Sequence, residues 1–582
     1  MPGRPIPSLL EEIAALLEIK DENPFKVRAY YNAAKVLSAA DNLDELIAGR
    51  RLKEVKGIGD ALAAKIQEYA ETGRMAYYEE LTREIPESLL ELLQIPNLGP
   101  KKIKVLYETL GITNVGELEY ACKENRLANL HGFGAKTQEK ILKGIEFVKK
   151  HKGEFLLGDV YPLAMRIREG FEGLVAPGFA EVCGSIRRHK EVVHDLDILV
   201  AGDYPAALSR HFASMPDVEE IIAEGDTKTS CRLSSGVEAD LRVVGAESWA
   251  CALVYFTGSK EHNVKLRGIA KKKGYKLNEY GLFPVDEERP VPLATEEEVY
   301  NFFGLAYIPP ELREDMGEIE AAQAGTLPNL VTLRDIRGTF HVHTERSDGV
   351  DPLPRIVEGA KRLGYSYVGI TDHSKSAYYA GGLKRDDVLG QWEEIDRLNA
   401  ADDGFRIFKG IESDILPDGS LDYDDELLEG FDFIIVSVHS SFGMKREDME
   451  RRLIRAMAQP LPIILGHPTG RLLLSRDGYD IDMHTIIDAA AEHHAIIELN
   501  ASPYRLDIDW RYLRYAKEKG VLISINPDAH AVAGLSEVAY GVGIARKGWQ
   551  EKDDILNTRD AAEVSEVFRR LRREKQERRI VA

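Results

Sequence analysis

The chain has 582 residues, of which 44% are hydrophobic and 30% are charged, which excludes a mostly disordered protein and predicts about three to five domains. Its net charge of −21 excludes a uniformly basic DNA-coating protein. That charge is uneven, because residues 1–150 carry a net −1, residues 151–320 carry −11 and residues 321–582 carry −9.

The N-terminal segment and the cysteines indicate a cellular compartment. Glu11 and Glu12 interrupt the first apolar run, which favours an amphipathic helix over a signal peptide. No uninterrupted apolar run of about 18 residues occurs, so we expect no transmembrane span and no membrane partner. The four cysteines form no CxxC pair, which is typical of a reducing cytoplasm.

Residues 8–150 predict short helices that are interrupted by glycine turns. Three turns lie in the segments VKGIGDALAAKI (55–66), IPNLGPKKIKVL (95–106) and LHGFGAKTQEKI (130–141), each before a basic helix. The free N–H groups and dipole of such a helix suit a phosphate, although one glycine turn alone is equally typical of a plain connection. The repetition favours phosphate contact, and the segments resemble helix-hairpin-helix motifs that bind DNA. The candidate DNA-binding residues are Gly57, Gly59, Gly99, Lys101, Lys102, Gly132 and Gly134.

Residues 178–257 contain short β-branched segments and three aspartates that suit a metal site. HDLDILV predicts a strand with Asp195 and Asp197 on one face, and EADLRVV supplies Asp240 from another strand. Three converging carboxylates can hold two Mg²⁺ ions for an in-line phosphoryl transfer. The Gly-Ser turn of the upstream CGSIRR segment suits a triphosphate. An Asp-x-Asp pattern alone is more typical of an exposed strand face.

The motif order G-S-x-R-R, D-x-D, D-x-R, YFTGS and NEYGLFP, over residues 1–320, resembles that of the family X DNA polymerases. The resemblance implies that Asp195, Asp197 and Asp240 bind two Mg²⁺ or Mn²⁺ ions, with Asp240 as the general base for the primer 3′-hydroxyl. It implies that Arg267 contacts the template. The implied nucleotide-binding residues are Gly184, Ser185, Arg188, Tyr255, Phe256, Gly258 and Asn263. The sequence departs from animal members at Glu238, where they have arginine, and at Val264, where they have lysine.

The first 75 residues resemble the small domain of the same family that binds the 5′-phosphate at a gap. Tyr30, Lys53 and Lys65 match its DNA-contacting positions, whereas Ala61 replaces a second phosphate-binding lysine. The resemblance implies that Lys65 is the Schiff-base lysine that removes a 5′-deoxyribose phosphate, which requires a lowered pKa. A solvated lysine on a DNA-binding helix explains Lys65 equally well.

From about residue 336, apolar strands end in polar residues at HVHT, GITDH, KGIESD, VSVHS, LGHP, IELN and SINPDAH. These seven strand–helix alternations predict an α/β barrel, in which strand ends meet at one mouth. Histidine and carboxylate side chains gathered at one mouth would repel one another or remain unpaired without cations. Together they suit about three Zn²⁺, Mn²⁺ or Fe²⁺ ions. The nine candidate ligands are His341, His343, Asp348, His373, Glu412, His439, His467, Asp528 and His530.

Residues 336–570 resemble the PHP (polymerase and histidinol phosphatase) domain, and all nine ligand positions are filled. The resemblance implies a trinuclear phosphoesterase on a distorted seven-stranded barrel. In polymerases of this architecture it implies a Mn²⁺-dependent 3′→5′ exonuclease, with abasic-site cleavage and 3′-phosphate removal as open alternatives.

Together these motifs predict a multidomain α+β and α/β protein with helix-hairpin-helix N-terminal domains, a nucleotidyltransferase-type palm sheet and a C-terminal distorted (β/α)7 PHP barrel. We expect a cytoplasmic, nucleoid-associated monomer that fills gapped or nicked DNA with deoxynucleoside triphosphates and trims 3′ ends. The alternatives are a PHP nuclease or phosphatase with a non-catalytic polymerase-like half, and a non-catalytic DNA-end scaffold. The expected domains are 1–82 (5′-phosphate/lyase-like), 83–150 (helix-hairpin-helix), 151–250 (palm), 251–320 (nucleotide selection), 321–335 (linker) and 336–582 (PHP).

Overall fold

The computed structural model describes residues 5–38, 43–55, 57–95, 98–127, 130, 132–149 and 153–581. Four residues of the predicted glycine-turn segments, Lys56, Pro96, Asn97 and His131, lie outside these ranges. The chain divides into two compact units, Met1–Lys149 and Lys150–Ala582. None of the helices in the described ranges combines the length and the apolar content that crossing a bilayer requires.

The first unit is helical in its described residues, as the spacing of apolar residues predicts. In the first helix, Leu9, Ile13 and Leu16 recur on one face and are buried, which is the pattern of an amphipathic helix. The helices are α1 (Ile6–Ile19), α2 (Pro24–Ser38), α3 (Leu43–Ala48), α4 (Asp60–Thr72), α5 (Ala76–Glu84), α6 (Leu89–Leu92), α7 (Pro100–Leu110), α8 (Val115–Lys123) and α9 (Ala135–Lys149).

The second unit begins with a five-stranded mixed sheet. Its strand order is β2-β4-β7-β6-β5, and β4 and β7 are parallel neighbours at the centre. The elements are β1 (Phe155–Leu156), α10 (Leu157–Glu169), β2 (Ala180–Val182), α11 (Gly184–Arg187), β3 (Val192–Val193), β4 (Asp195–Ala201), α12 (Pro205–Ala213), β5 (Val218–Glu224), β6 (Lys228–Leu233) and β7 (Glu238–Val244).

The alternation of side chains along β4 positions the aspartates. Leu196 and Ile198 point into the main core of this sheet, while Leu199 packs on the opposite face with Trp249. Because successive side chains of a strand alternate between faces, Asp197 lies on the same face as Leu199. The predicted common orientation of Asp195 and Asp197 follows from this alternation.

A mainly helical segment follows the sheet and has its own core around the buried residues Leu266, Leu282 and Tyr300. Its Arg313 is fully buried and donates to Glu296 over 2.7 Å and to the carbonyl oxygen of Ile308 over 2.9 Å. The elements are α13 (Trp249–Thr257), α14 (Lys260–Lys272), β8 (Tyr275–Asn278), β9 (Gly281–Pro284), α15 (Glu296–Phe302) and α16 (Glu318–Ala324).

The rest of the second unit is a parallel barrel with surrounding helices. The strands are short apolar runs, as expected where helices cover a parallel sheet. The elements are β10 (Gly338–Thr339), α17 (Leu353–Arg362), β11 (Tyr367–Ile370), α18 (Arg385–Ala401), β12 (Arg406–Lys409), β13 (Glu412–Asp414), α19 (Asp425–Leu428), β14 (Ile434–Ser437), α20 (Arg446–Met457), β15 (Ile463–Leu465), α21 (Met483–Glu492), β16 (Ile496–Asn500), α22 (Trp510–Glu518), β17 (Ile523–Asn526), α23 (Val538–Lys547) and α24 (Ala561–Val581).

The barrel strands pair in chain order and close on themselves. Sheets β10-β11-β12 and β13-β14-β15-β16-β17 are parallel throughout. The two sheets meet at β12 and β13, which only two residues separate in the chain. In this gap the backbone N–H of Gly410 donates to the carbonyl oxygen of Ile370 in β11 over 2.9 Å, so the pairing with β11 continues from β12 towards β13. A parallel bridge between Val342 and Ala529 connects the first and last strands. The predicted fold classes and the seven-stranded barrel are confirmed in the described residues.

Candidate active sites

Three carboxylates meet on the central strands of the five-stranded sheet. Asp197 of β4 and Asp240 of β7 are register partners, and Asp195 begins β4 in an exposed position. Burial, together with the charges of Asp195 and Asp240, raises the pKa of Asp197 to about 7. Asp240 accepts a hydrogen bond from Ser230 Oγ over 2.5 Å and pairs with Lys228 Nζ at 3.1 Å. A buried carboxylate whose ionisation is disfavoured in this way, beside two further carboxylates, suits a divalent cation.

Gly184 lets the Gly-Ser turn approach these carboxylates closely. Its φ is +61°, and a Cβ atom there would lie 2.3 Å from Asp197 Oδ2. The backbone N–H of Cys183 also donates to the carbonyl oxygen of Asp197 over 2.8 Å. A larger residue would therefore displace the carboxylate of Asp197, so the turn and the acidic residues form one site.

A cavity of about 450 Å³ lies beside this turn. Within it, Ser185 Oγ has no hydrogen-bond partner among the described residues. The cavity is also lined by Lys190, His194 and Lys260, which the sequence motifs did not predict. The sequence-predicted residues that line the cavity are Gly184, Ser185, Arg188, Asp195, Asp197, Tyr255, Phe256, Gly258, Asn263 and Arg267.

One wall of the cavity is built from α13 and α14. Tyr255 and Phe256 pack edge to face with ring centroids 5.2 Å apart, and Tyr255 is 36% exposed. Asn263 Nδ2 donates to the carbonyl oxygen of Tyr255 over 2.8 Å, and Arg267 Nε donates to that of Asn263 over 3.2 Å. These contacts fix an aromatic and amide surface opposite the Gly-Ser turn.

The second cluster lies where the barrel strands end, and it contains all nine predicted ligands. Glu412 is its central residue, because His439 Nε2 and His467 Nε2 lie 3.3 and 3.1 Å from its Oε1. His373 Nδ1 lies 2.9 Å from its other oxygen. The ligand atoms within 4.8 Å of one another form four overlapping groups in the barrel: His343, Asp348, His373 and His530; His341, Glu412 and His467; His341, His343 and Asp528; His373, Glu412 and His439.

The polar atoms of this cluster are buried and incompletely paired. Nε2 of His341, Oδ2 of Asp348 and both ring nitrogens of His343 and His373 have no hydrogen-bond partner among the described residues. Although burial lowers the pKa of His373, the charges of Asp348 and Glu412 hold it well above its usual range. Buried lone pairs of this kind are satisfied by metal cations, so the donor set fits metal ions.

Two further carboxylates orient histidines of the cluster through their Nδ1 atoms, and the sequence motifs did not predict them. Glu498 Oε1 lies 2.6 Å from His341 Nδ1, and Asp414 Oδ1 lies 2.6 Å from His439 Nδ1. Such partners select the tautomer and fix the ring of a metal-binding histidine. Glu498 lies inside the apolar IIELN strand, where a buried glutamate is itself an unusual signal.

Three of the nine residues have left-handed backbone conformations. The φ angles are +55° at His341, +23° at His467 and +54° at Asp528. Non-glycine residues in this region are strained and cluster at functional sites. These backbone conformations therefore have an energetic cost, and they direct the three side chains into the mouth of the barrel.

In the first unit, Lys65 lies against two aromatic side chains. Its Nζ donates to the hydroxyl of Tyr30 over 2.8 Å and lies 3.4 Å from the centroid of the Tyr77 ring. Burial and then the charge of Lys26 lower the pKa of Lys65. Lys53, the third predicted contact, is exposed and pairs with Asp60 at 2.5 Å. Lys65 thus has the environment of a nucleophilic amine.

The glycine turns precede helices, as predicted. Gly59 and Gly99 are the N-terminal caps of α4 and α7, and Gly134 directly precedes α9. Gly57 and Gly132 have φ angles of +99° and +86°, and a Cβ at any of these five glycines would meet no atom within 4 Å. Lys101 is exposed and Lys102 is half-buried in the first turn of α7. The glycine positions of these turns are therefore open on the side where a Cβ would lie.

A relative covers almost the whole chain. The DNA polymerase/3'-5' exonuclease PolX of Bacillus subtilis is 40% identical over 565 residues, which span 97% of this chain and 98% of that protein. The chain belongs to the bacterial PolX family. Family models match at residues 1–75 (helix-hairpin-helix domain), 89–146 (SAM-like helix-hairpin-helix tandem), 252–314 (DNA polymerase beta thumb) and 339–502 (PHP domain).

Partial relatives divide between the two halves of this PolX architecture. DNA polymerase lambda of Arabidopsis thaliana is 26% identical over 321 residues, which span 49% of this chain and 57% of that protein. A probable phosphatase of Caldanaerobacter subterraneus is 31% identical over 242 residues, which span 38% of this chain and 88% of that protein. The polymerase and PHP families are both metal-dependent, and the helix-hairpin-helix and thumb matches imply DNA binding.

Proposed function

We propose that this protein is a DNA-directed DNA polymerase that fills short gaps during repair and that its barrel is a metal-dependent 3′→5′ exonuclease. The observation that carries the proposal is the pairing of Asp197 with Asp240 beside a cavity that the Gly-Ser turn lines. The PolX relative supports both activities. We further propose a cytoplasmic, nucleoid-associated monomer.

In the palm, Asp195, Asp197 and Asp240 would hold two Mg²⁺ or Mn²⁺ ions, which when bound neutralise the phosphates and the reacting oxygens. Asp240 would be the group that takes the proton of the primer 3′-hydroxyl, as the family resemblance implies, and its contacts with Ser230 and Lys228 hold its carboxylate in place. Asp197, whose raised pKa leaves part of it protonated near neutral pH, would be fully ionised as a ligand of such an ion.

The cavity residues would hold the deoxynucleoside triphosphate. Ser185 Oγ, Arg188 and the backbone at Gly184 would bind the phosphates, since these neighbouring donors line the cavity. Tyr255, Phe256 and Gly258 form the wall that excludes a ribose 2′-hydroxyl. Asn263 contacts the nascent base pair and Arg267 the template.

In the barrel, the nine predicted ligands would hold about three Mn²⁺, Zn²⁺ or Fe²⁺ ions, which when bound lower the pKa of water and polarise a phosphodiester. Glu498 fixes the orientation of the His341 ring, and Asp414 fixes that of the His439 ring. The strained backbone at His467 directs its ring at Glu412. The chain's own contribution is thus a preorganised donor set.

The helical unit would grip gapped or nicked DNA. The turns at Gly57, Gly59, Gly99, Gly132 and Gly134 would present helix N-termini to the phosphates, with no side chain on the glycines to hinder the approach. Lys101, Lys102 and Lys53 would add contacts to the DNA backbone, whereas Tyr30 is buried and contacts Lys65. Such binding is independent of sequence and weakens with salt.

A second activity, removal of a 5′-deoxyribose phosphate, is favoured by the lowered pKa of Lys65 and by its contact with Tyr30. Borohydride reduction of a mixture with incised abasic DNA is expected to trap a covalent adduct. Lys65→Ala should abolish the adduct, whereas Lys53→Ala should retain it. Absence of an adduct in the wild type would remove this activity.

Hydrophobic clusters support the proposed palm (151–250), nucleotide-selection (251–320) and PHP (336–582) divisions, although a small cluster with Leu199 and Leu253 crosses the boundary at 250. The proposed linker (321–335) is not separate, because Leu330 and Val331 belong to the cores on either side of it. One cluster covers residues 155–243, a second covers residues 250–330 and adds Trp549, and the large barrel cluster begins at Val331. A single cluster covers the helical residues 9–145, on both sides of the proposed boundary between 1–82 and 83–150.

The decisive experiment is a reciprocal pair of substitutions, assayed for primer extension and for degradation of 3′ ends. Asp195→Ala should lose extension and keep degradation, while His341→Ala should do the reverse. Asp203→Ala, an exposed aspartate after β4, is the control and should keep both. Extension by Asp195→Ala at the wild-type rate would contradict the polymerase assignment.

A further inference from the structure

A buried lysine of the barrel reaches the nucleotide-binding turn of the palm. Lys547 is the last residue of α23 and is 1% exposed. Its Nζ donates to the carbonyl oxygen of Arg188 over 3.1 Å and to Glu314 Oε1 over 2.5 Å. The ammonium also lies 4.7 Å from the centroid of the Trp510 ring. The end of a barrel helix therefore contacts the residue that closes the Gly-Ser turn.

Glu314 shares its carboxylate between Lys547 and Arg188. Arg188 Nε donates to Glu314 Oε1 over 3.0 Å, and Arg188 Nη1 donates to the carbonyl oxygen of Thr257 over 2.6 Å. Arg188 and Thr257 both line the cavity. The guanidinium is thus fixed in direction by one carboxylate and one backbone carbonyl, while its Nη2 has no hydrogen bond within the described residues.

The charges of this trio are buried and therefore weakly screened. The side chains of Lys547, Glu314 and Arg188 are 0%, 11% and 10% exposed. Glu314 alone would neutralise Arg188, whereas Lys547 adds a charge that leaves the trio with one net positive charge. A triphosphate in the cavity is attracted by that net charge.

We propose that Lys547 is a positioning residue for deoxynucleotide binding, which fixes the backbone of Arg188 and offsets the charge of Glu314. This inference rests on the proposed polymerase function. It makes the barrel a contributor to substrate binding in the palm, in addition to its own chemistry. The burial of a lysine, which is costly for stability alone, is explained by this second role.

The surrounding contacts show how tightly α23 meets the turn, and they supply a control. A Cβ on Gly543 would lie 2.2 Å from His189 Nδ1, so this helix packs directly on the residue after Arg188. Arg546 donates to Glu311 over 2.6 Å and to the carbonyl oxygen of Val331 over 3.0 Å. Arg546 thus crosses the same interface without a hydrogen bond to Arg188 or Glu314.

The test is steady-state insertion of one deoxynucleotide into a gapped duplex by the full chain. Lys547→Met should raise KM for the nucleotide about tenfold, the size typical of losing a hydrogen bond to a charged group, with kcat changed less. Lys547→Arg should restore most of the affinity, and Arg546→Met should leave KM unchanged. Degradation of single-stranded DNA should proceed at the wild-type rate in all three variants.

Lys547→Gln provides a second variant, because it keeps a donor for the carbonyl of Arg188 and removes the charge. It should also raise KM, even if the methionine variant fails to fold. An unchanged KM in Lys547→Gln, or an equal rise in Arg546→Met, would overturn the positioning role while wild-type insertion leaves the proposed function intact. Failure of the wild type to insert any nucleotide would instead overturn the proposed function.

Discussion

The palm and the barrel both gather carboxylates, but they compensate the charge in opposite ways. In the palm, Asp195 is exposed and Asp240, with 34% of its side chain exposed, pairs with the half-exposed Lys228. In the barrel, the side chains of Asp348 and Glu412 are 1% exposed and lie between imidazoles. The barrel ligands form groups in which the ligand atoms lie within 4.8 Å of one another. The three palm carboxylates are all among the described residues, and they do not form such a group.

The difference teaches how each site acquires its cations. Asp195 and Asp197 line a cavity, and their charges repel each other, so we propose that the palm site is completed when a nucleotide arrives with a metal ion. The barrel donors are enclosed, and Glu498 and Asp414 orient two of their histidines, so we propose that they would hold ions before any substrate binds. On this proposal, one chain combines a site assembled by its substrate with a preassembled site.

The largest expected effect is that of Glu412→Gln in the barrel. Glu412 contacts His373, His439 and His467, so its loss should remove shared ligation and lower 3′→5′ degradation about a thousandfold or more. Metal content, measured by mass spectrometry of the purified protein, should fall in parallel. Primer extension should remain, and His484→Ala, an exposed histidine of α21, should change neither activity. Full metal content in the glutamine variant would contradict the preassembled site.

Gly184→Ala tests the palm side of the comparison. A Cβ there would lie 2.3 Å from Asp197 Oδ2, and the resulting displacement should lower extension about a hundredfold with degradation unchanged. Gly178→Ala is a matched control, because Gly178 also has a positive φ, of +86°, but an added Cβ would meet nothing within 4 Å. Equal losses in the two variants would indicate backbone strain rather than contact with Asp197.

Glu498→Gln should weaken the barrel site without removing a ligand. Replacing the carboxylate by an amide removes the charge that orients His341. The affinity of the site for metal ions, or the rate of 3′→5′ degradation, should therefore fall about 10- to 100-fold. Competition with a chelator measures the affinity directly. Asp414→Asn should act similarly through His439, whereas the exposed Glu518→Gln should have no effect.

The smallest expected effect concerns Lys575, a buried lysine of the barrel that forms no ion pair with a carboxylate of the described residues. Lys575 Nζ donates to the carbonyl oxygen of Met457 over 2.9 Å, and burial lowers the pKa of Lys575 to about 7. The unfolded chain keeps this proton up to about pH 10, so the free energy of unfolding rises with pH from about 7 to 10. Lys575→Met should raise Tm by about 3 °C at pH 7 and by less at pH 9.5. Scanning fluorimetry checks this, with Lys361→Met, an exposed pair with Asp402, as the control.

Much of the fold and of both sites could be predicted from the sequence, because their signals are local. The alternation in HDLDILV indicated the common face of Asp195 and Asp197, and the polar residues at strand ends indicated the barrel mouth. In each case a short stretch carries both the secondary structure and the chemistry.

What the sequence did not predict depends on pairing between distant segments. Glu498 and Asp414 act through histidines on other strands, and no spacing rule connects them with His341 or His439. The contact of Lys547 with Arg188 joins residues from opposite ends of the second unit. Glu498 is an unusual residue inside an apolar strand, but only the folded arrangement reveals which histidine it contacts.

The closure of the barrel has a consequence for protein synthesis. The bridge between Val342 and Ala529 brings His341 and His343, which follow β10, beside Asp528, which follows β17. A nascent chain therefore lacks a complete ligand set until its final strand has left the ribosome. Translation that stops earlier yields a product without Asp528 and His530, so an unfinished chain lacks a complete barrel site.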